Sequence, residues 1–586
     1  MFIILILGQS YEKSREEQNK FCFFFRDGVT YSFFFVPLQP NCKFTTVMKQ
    51  FFTSTTPTLR RLSAFIIALA ATTTVHAAII KLEVYDNRQQ TITGFGAACC
   101  DGAMCPYGTD TAPVRLLYGP TSSIGLNIMR MEISPSFKGD ENANWSNYNW
   151  KGSLPSAKIV KQRGGIVFGT PWSPPGEYKT NGSASGGKVN GNNDNDPKNK
   201  RGKLREDCYE KFFPWLNTFL AYMKKNKVDV DAVSLQNEPD WWVNYSGCLY
   251  DPQDLVKLVK NYAYMLDRET YPGVRLISGE SLGFTQNYTD PLMNDTTCRK
   301  HIDIVAGHLY GHAPLEYMKK SAVLAAKYGK EVWMTEHSVT DNIDHLPNWH
   351  ENLIFAEELN ECMLAGCTGY IYWYMRAHWG FVGTGEPWDY DVMGVKYKAS
   401  SPDNKKNQLL PRAYVMSHFS KHVTGSTRLK TSRDKESGEG AAAEYSAYIK
   451  GDSIIVMAID TTKNGHSLQL KLPVKVKSGI HLLSTGNEIE KLCQESPIDF
   501  EGPSDEVLVP MGARSLNTYI FMIDKGSTAI QEQRATAATN SVAYYDLHGR
   551  RLQKPHGMCI ELRSDGSSRK IVAASPHSFN TYVIGE

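Results

Sequence analysis

The sequence predicts an α/β protein, a (β/α)₈ TIM barrel with a fused side β-sandwich, and three observations carry that prediction. Eight short apolar segments recur between residues 91 and 375, separated by stretches able to form helices. Most are continuous apolar runs rather than alternating ones, as expected of parallel strands buried on both faces. From about Thr424 the pattern changes to short β-rich segments with turns between them, which reads as a sandwich.

The barrel strands are expected at Thr91–Ala97, Leu126–Ile133, Gly165–Thr170, Val230–Gln236, Val274–Gly279, Ile302–Leu309, Glu331–Thr335 and Tyr370–Met375. Between them, Cys208–Lys225 sets Phe212, Phe213, Leu216, Phe219, Leu220 and Met223 at helical spacing. Leu255–Leu266 and Ile354–Leu364 do likewise. A doubly wound open sheet is the structural rival. The strand count favours the barrel, and no Gly-rich dinucleotide turn follows the first strand. Sandwich strands are expected at Ala442–Lys450, Ser453–Asp460, Ser467–Leu472 and Ser515–Ile523. Ile79–Tyr85 is strand-like and is expected to pair into the sandwich, locking the two units together. The domains are then a sandwich strand at 78–90, the barrel at 91–423 and the sandwich at 424–524.

The remaining segments concern export. Arg60-Arg61, the apolar run Leu62–Ala71 and Val75-His76-Ala77 read as the three parts of a signal peptide. The run is too short to span a bilayer. Cleavage is expected after Ala77, with translation starting at Met48 and the signal at about 48–77. Residues 1–47, despite Phe23-Phe24-Phe25 and Phe33-Phe34-Phe35, do not read as a domain. Residues 525–540 are rich in Ala, Thr, Gln and Ser and read as a linker. After them come Tyr544-Tyr545-Asp546-Leu547-His548-Gly549-Arg550-Arg551, Lys554-Pro555-His556-Gly557, Asp565-Gly566 and Arg569-Lys570-Ile571-Val572. This tail, 541–586, resembles the short β-rich C-terminal sorting tails of type IX secretion substrates, although residues past Val572 depart from that pattern. A secreted or cell-surface protein without membrane insertion after processing is expected.

Bulk properties exclude more than they select. A net charge of +3 over 586 residues gives no field suited to nucleic acid or a membrane surface. Eleven Trp and 30 Tyr supply faces that stack on sugars, but such residues also fill cores. Of 12 cysteines, Cys22 and Cys42 precede the expected cleavage, which leaves ten. Their spacing is irregular, and Cys99, Cys100 and Cys105 have no matching second cluster for zinc. Export permits disulfides, and their pairing is not legible in the sequence.

Active residues of a (β/α)₈ barrel stand at the C-terminal strand ends. Strand four ends in Ser234-Leu235-Gln236-Asn237-Glu238-Pro239-Asp240, and strand seven in Trp333-Met334-Thr335-Glu336-His337. Two glutamates thus face one cavity, as glycoside hydrolysis requires: one a protonated acid, the other an ionised nucleophile. Glu238 is read as acid/base and Glu336 as nucleophile. Asn237 supplies an amide for a sugar hydroxyl. Arg130, ending strand two, would hold Glu336 ionised through a charge-assisted bond. Trp172 would wall the site, Tyr310 donate to the nucleophile, and Trp373 form a floor for the sugar. His308, His312 and His337 invite a metal reading. The i, i+4 spacing of the first two places ligands on one face only in a helix, whereas they straddle a strand end and loop, so no metal is expected. Glu132, Glu177 and Glu280 are spare acids, read as binding or solvated residues rather than catalysts.

Gly94-Phe95-Gly96, Ser234–Asp240, Gly307–Gly311, Trp333–His337, Tyr372–Gly380 and Tyr414–Ser420 together resemble glycoside hydrolase family 30, over roughly residues 79–524. Within it the resemblance is to the bacterial glucuronoxylan endo-xylanases. It implies retaining cleavage of β-1,4-xylan, a polysaccharide partner and no cofactor; a monomer is expected. By motif position it gives Glu238 and Glu336 the roles read above, and it adds Arg376 and Trp379 to the substrate-binding residues. One departure stands out. The family pattern after strand eight is Tyr-Ile-Arg-Arg-x-Tyr-Gly, whose second Arg and following Tyr grip glucuronate. Here the stretch is Tyr374-Met375-Arg376-Ala377-His378-Trp379-Gly380. Ala377 cannot bind a carboxylate, so a contact of about 1.5–3 kcal/mol is lost.

Overall fold

The computed structural model describes residues 20–27, 30–37, 79–100, 110–137, 150–187, 200–339, 347–376, 380–383, 388–392, 395–399, 405–433, 443–526, 542–545, 551–552, 557–563, 568–573 and 581–583. The chain divides into two units, 1–76 and 77–586. In the first, Lys20–Asp27 and Thr30–Pro37 pair as an antiparallel hairpin, with Phe23 opposite Phe34. A lone hairpin is not an independently stable domain. The expected signal segment up to Ala77, and the linker from residue 527 onward, lie outside the described residues.

The second unit is built on a closed parallel barrel. Its strands are β1 (Gly94–Cys99), β2 (Ile128–Ile133), β3 (Ile166–Pro171), β4 (Ala232–Ser234), β5 (Arg275–Ile277), β6 (Ile304–His308), β7 (Glu331–Glu336) and β8 (Gly369–Tyr372). β8 closes on β1, Gly369–Tyr372 lying in register with Gly94–Ala97. Parallel neighbours need crossover connections, and helices supply them: α1 (Ala112–Leu117), α2 (Trp150–Gln162), α3 (Tyr209–Lys225), α4 (Pro252–Tyr262), α5 (Gln286–Asn294), α6 (Thr296–His301), α7 (Pro314–Lys327) and α8 (Trp349–Leu364). A further helix, α9 (Pro411–Ser420), follows β8.

The barrel interior is filled rather than hollow. Ile128, Phe168, Ala232, Ile277, Ile304, Ala306, Trp333 and Ile371 pack inside it, so polar chemistry belongs at the strand ends. Tight strand packing explains Gly96: a Cβ there would lie 1.9 Å from the carbonyl oxygen of Ile128. The face of α3 defined by Phe212, Phe213, Leu216, Phe219, Leu220 and Met223 is buried against the strands. α8 begins at Trp349 rather than the expected Ile354. A capping box sets that start, with Glu351 N–H donating to Asn348 Oδ1 (3.1 Å) and Asn348 N–H to Glu351 Oε2 (2.6 Å). β4 and β5 are shorter than the apolar runs that encode them. Beyond them the ladder thins to single bridges, Asn237 with Glu280 and Ser281 with Gly307.

The side domain is a mixed β-sheet. Ser453–Asp460 lies between Ala443–Lys450 and Ser515–Ile523 in antiparallel register. The long strand His466–Ser484 joins the two edges. Its first part pairs with Ser504–Met511 and Ile79–Thr91, and its second with Ser515–Ile523 and Gln494–Ile498. Ile79–Thr91 also pairs with Thr427–Arg433. The sheet thereby wraps around its own core of Ile80, Leu82, Val456, Leu468, Leu470, Tyr519 and Phe521. Tyr448, Ile455, Met457 and Leu516 on its other face join the barrel core. Polar pairs seal that junction: Asn352 Nδ2 donates to Asn487 Oδ1 (2.9 Å), and His418 meets Thr518 (2.7 Å) and Ser484 (2.9 Å).

At the C-terminus, Val542–Tyr545, Arg551–Leu552, Gly557–Arg563, Ser568–Ala573 and Thr581–Val583 form a five-stranded antiparallel sheet. Among the described residues no helix is long and apolar enough to cross a membrane. Cys208, Cys248, Cys298, Cys362 and Cys367 are buried free thiols.

Candidate active site

The mouth of the barrel gathers its polar groups around one guanidinium. Arg130 sits in mid-strand on β2, which runs on to Ile133, and not at the strand's end as expected. Its side chain points inward and is fully buried. Nη1 donates to Glu336 Oε2. Nη2 donates to Asn237 Oδ1 (2.7 Å) and Glu280 Oε2 (3.3 Å), and faces His308 Nε2 (3.5 Å). Burial alone works against this charge. Glu280 and Glu336 more than offset it, and the guanidinium is held charged.

Glu238 stands in the turn that ends β4. Its backbone is left-handed, φ +44°, a strained conformation for a residue with a side chain. The turn is clamped from β5 and from its own next residues: Glu238 N–H donates to the Glu280 carbonyl (2.8 Å), and Trp241 N–H to the Glu238 carbonyl (3.0 Å). Glu336 ends β7. Both carboxyl groups are buried except for a small face, each residue being 7% exposed. Oxygen atoms of the two groups lie within 4.8 Å of one another.

Burial raises the Glu238 carboxyl to about 8. Arg130 opposes that rise, while Asp240 and Glu280 reinforce it. Burial also raises Glu336, but the Arg130 guanidinium beside it pulls it back. The two acids are thus placed in unequal fields, one protonated near neutrality and the other beside a cation. Burial lowers His308 to about 4, so its ring is neutral there. Its Nδ1 lies 3.1 Å from Glu238 Oε1.

The aromatic residues border the same space. The Trp172 and Trp373 rings are 5.8 Å apart, and both overlie Arg130, at 4.6 and 5.8 Å. Tyr310 Oη donates to Glu336 Oε1 at 3.4 Å, and burial holds that phenol well above its ordinary range. Trp241, three residues beyond Glu238, is half exposed at the edge of the mouth. Arg376 stands apart from this cluster, its Nη1 paired with Asp110 Oδ2 at 3.0 Å. Ala377 and Trp379 lie outside the described residues.

Sequence reasoning left two residues out of this cluster. Glu280, read as binding or solvated, is fully buried and ion-paired with Arg130. Its signal was a carboxylate at the end of an apolar run. His308, weighed only as a metal ligand, is a partner of Glu238. The three histidines do not converge: His337 bonds Glu358 (2.8 Å), and His312 is exposed in the loop after β6. Glu238, His308 and Glu336 are close enough to hold a cation. The Arg130 guanidinium already occupies the charge-compensating position beside them, which disfavours a second cation there.

Comparison with known proteins bears on the class of the chain and its fold. A family model described as a glycosyl hydrolase catalytic core matches residues 207–363. The chain is 28% identical over 358 residues to glucuronoxylanase XynC of Bacillus subtilis, covering 59% of this chain and 69% of that one. It is 27% identical over 184 residues to an endo-1,6-β-D-glucanase of Neurospora crassa, covering 27% of this chain and 36% of that one. The solved family 30 subfamily 8 xylanase Xyn30A of Clostridium acetobutylicum superimposes with a TM-score of 0.60 at 26% identity, over 75% of this chain and 99% of that one. Residues 207–363 thus match a glycosyl hydrolase catalytic core, and the barrel with its side sheet is similar to a solved family 30 xylanase.

Proposed function

We propose that the protein is a secreted, retaining hydrolase that cleaves β-1,4-xylan in endo fashion, with Glu238 as acid/base and Glu336 as nucleophile. The observation that carries this reading is the approach of the two carboxyl groups to within 4.8 Å between oxygens. Retaining enzymes hold the pair about 5–5.5 Å apart, whereas inverting enzymes leave about 6.5–9.5 Å for a water. In the first step Glu238 gives its proton to the glycosidic oxygen while Glu336 attacks the anomeric carbon, forming an ester to the enzyme. In the second, ionised Glu238 takes a proton from water as that water displaces Glu336, restoring both groups.

The remaining roles follow from position. Arg130 and Tyr310 hold the nucleophile, Asn237 offers its amide nitrogen to a sugar hydroxyl, and Trp172 and Trp373 give the sugar an apolar surface. Export rests on the Arg60–Ala77 segment, and a sorting role for the tail on residues 544–572. Xylan as substrate is supported by the XynC and Xyn30A resemblances. The glucanase relative and Ala377 favour a second reading, a β-1,6-linked glucan or galactan cleaved by the same two acids.

A product profile on purified linear xylan, glucuronoxylan, β-1,6-galactan and β-1,6-glucan tests both. A ladder of xylo-oligosaccharides is expected; release only from a β-1,6-glycan selects the second reading. Glu336→Gln is expected to abolish turnover with the fold intact, and retained turnover rejects the assignment.

A further inference from the structure

The mechanism above leaves one buried acid of the mouth without a task. Glu280 lies just past the end of β5 and is fully buried. Its Oε2 meets Nη2 of the arginine whose Nη1 holds Glu336. Its main chain is tied to the neighbouring strand end twice: its carbonyl accepts from Glu238 N–H (2.8 Å), and its N–H donates to the Gln236 carbonyl (2.9 Å). Its Oε1 has no hydrogen-bond partner among the described residues. A buried ion pair with an unsatisfied oxygen is poor value for stability, since apolar replacements are often neutral or stabilising.

We propose that Glu280 is a positioning residue for the reaction: it divides the Arg130 guanidinium between two carboxylates, so that Glu336 receives one arm of that cation rather than its full charge. The inference rests on the hydrolase reading above. Without the Glu280 charge, Asn237 still holds Nη2, but the whole positive charge of Arg130 acts on Glu336, a better-neutralised and weaker nucleophile. The groups facing Glu238 are Arg130, Asp240, Glu280 and His308; those facing Glu336 are Arg130, His308, Glu238 and Tyr310. Removing the Glu280 charge subtracts a negative neighbour from Glu238 and unmasks Arg130. Both changes favour the ionised acid, so both carboxyl groups titrate lower.

Glu280→Gln keeps a carbonyl acceptor for Arg130 and loses the charge. On a soluble xylan, kcat is expected to fall between about tenfold and a hundredfold with KM roughly unchanged. Both limbs of the pH profile are expected to move toward acid. Carboxyl carbon-13 NMR of the free protein, with the Glu238 signal assigned through Glu238→Gln, reads the same displacement without any substrate. Glu280→Asp, which withdraws the carboxylate by one methylene, is expected to give a smaller shift of the same sign and guards against a misfolded amide variant. A Glu238 titration unmoved in the folded variants overturns the inference. A displaced titration in a protein that releases no sugar from any glycan overturns the hydrolase reading alone.

Discussion

The imidazole of His308 bridges Arg130 and Glu238, with Nε2 3.5 Å from Arg130 Nη2 and Nδ1 3.1 Å from Glu238 Oε1. A guanidinium only donates, so Nε2 is the acceptor and the ring proton sits on Nδ1. Glu238 Oε1 therefore receives that N–H, and the acid proton belongs on Oε2. The ring selects which oxygen of the acid carries the proton to be transferred.

The pH dependence follows. Glu238 is active as an acid only while protonated, and burial first of all raises it to about 8. Activity is expected to persist through neutrality and to fall as pH rises through about 8. His308, lowered by burial to about 4, stays neutral across that window and adds no limb of its own there. The profile of kcat/KM against pH checks this. A descending limb near the ordinary glutamate value of about 4.3 contradicts the burial argument.

The same shift has a stability consequence. The folded protein keeps the Glu238 proton up to about 8, while the unfolded chain releases it near about 4.3. Between those values the folded state binds the extra proton, so this residue's contribution to stability declines as pH rises. Glu238→Gln removes the penalty and relieves nothing else, because it keeps the side chain's shape. Denaturant unfolding at pH 5 and pH 8 is expected to show the variant gaining on the wild type at the higher pH. A gain at the lower pH instead reverses the sign and refutes the shift.

How much of this was legible beforehand depended on whether a signal was local. β1 to β8 announced themselves as apolar runs because both faces of each are buried. Glu238 and Glu336 were found because the strand ends were known once the strands were. The trim of β4 and β5 was not legible, since it arises where the ladder gives way to single bridges rather than where the apolar run stops. Nor was the pairing of Glu280 with Arg130: nothing in Ile277-Ser278-Gly279-Glu280 says which cation, 150 residues away, it meets. Arg376 likewise reads as a substrate-binding residue in sequence, while the fold gives it Asp110.

Arg130 is the hinge between catalysis and stability. Replacing it by Met leaves Glu280 and Glu336 buried and facing each other without a cation. Removing one partner of a buried pair costs about 3–5 kcal/mol, and that loss is expected in urea unfolding of Arg130→Met at neutral pH. Protonating the two acids repairs part of it, so the deficit is expected to shrink as pH falls. A deficit independent of pH would assign the loss to packing against Trp172 and Trp373 instead.

Ala377 sets the last prediction. By the family resemblance, and on the proposed xylan reading, a guanidinium at that position is expected to pair with a uronate carboxylate, a contact of about 1.5–3 kcal/mol, or tenfold and upward in relative rate at about 1.4 kcal/mol per decade. Arg376 is held through its Nη1 by Asp110, which disfavours its turning to replace that contact. The wild type is therefore expected to cut linear and glucuronate-decorated xylan with similar kcat/KM, and Ala377→Arg to favour the decorated polymer by at least about tenfold. Mass spectrometry of the products gives an independent reading, since a decoration-directed enzyme leaves the acid at one fixed position in every product. A strict demand for glucuronate in the wild type would mean that another cation reads the acid, and the Arg376–Asp110 pair would then have to open on binding.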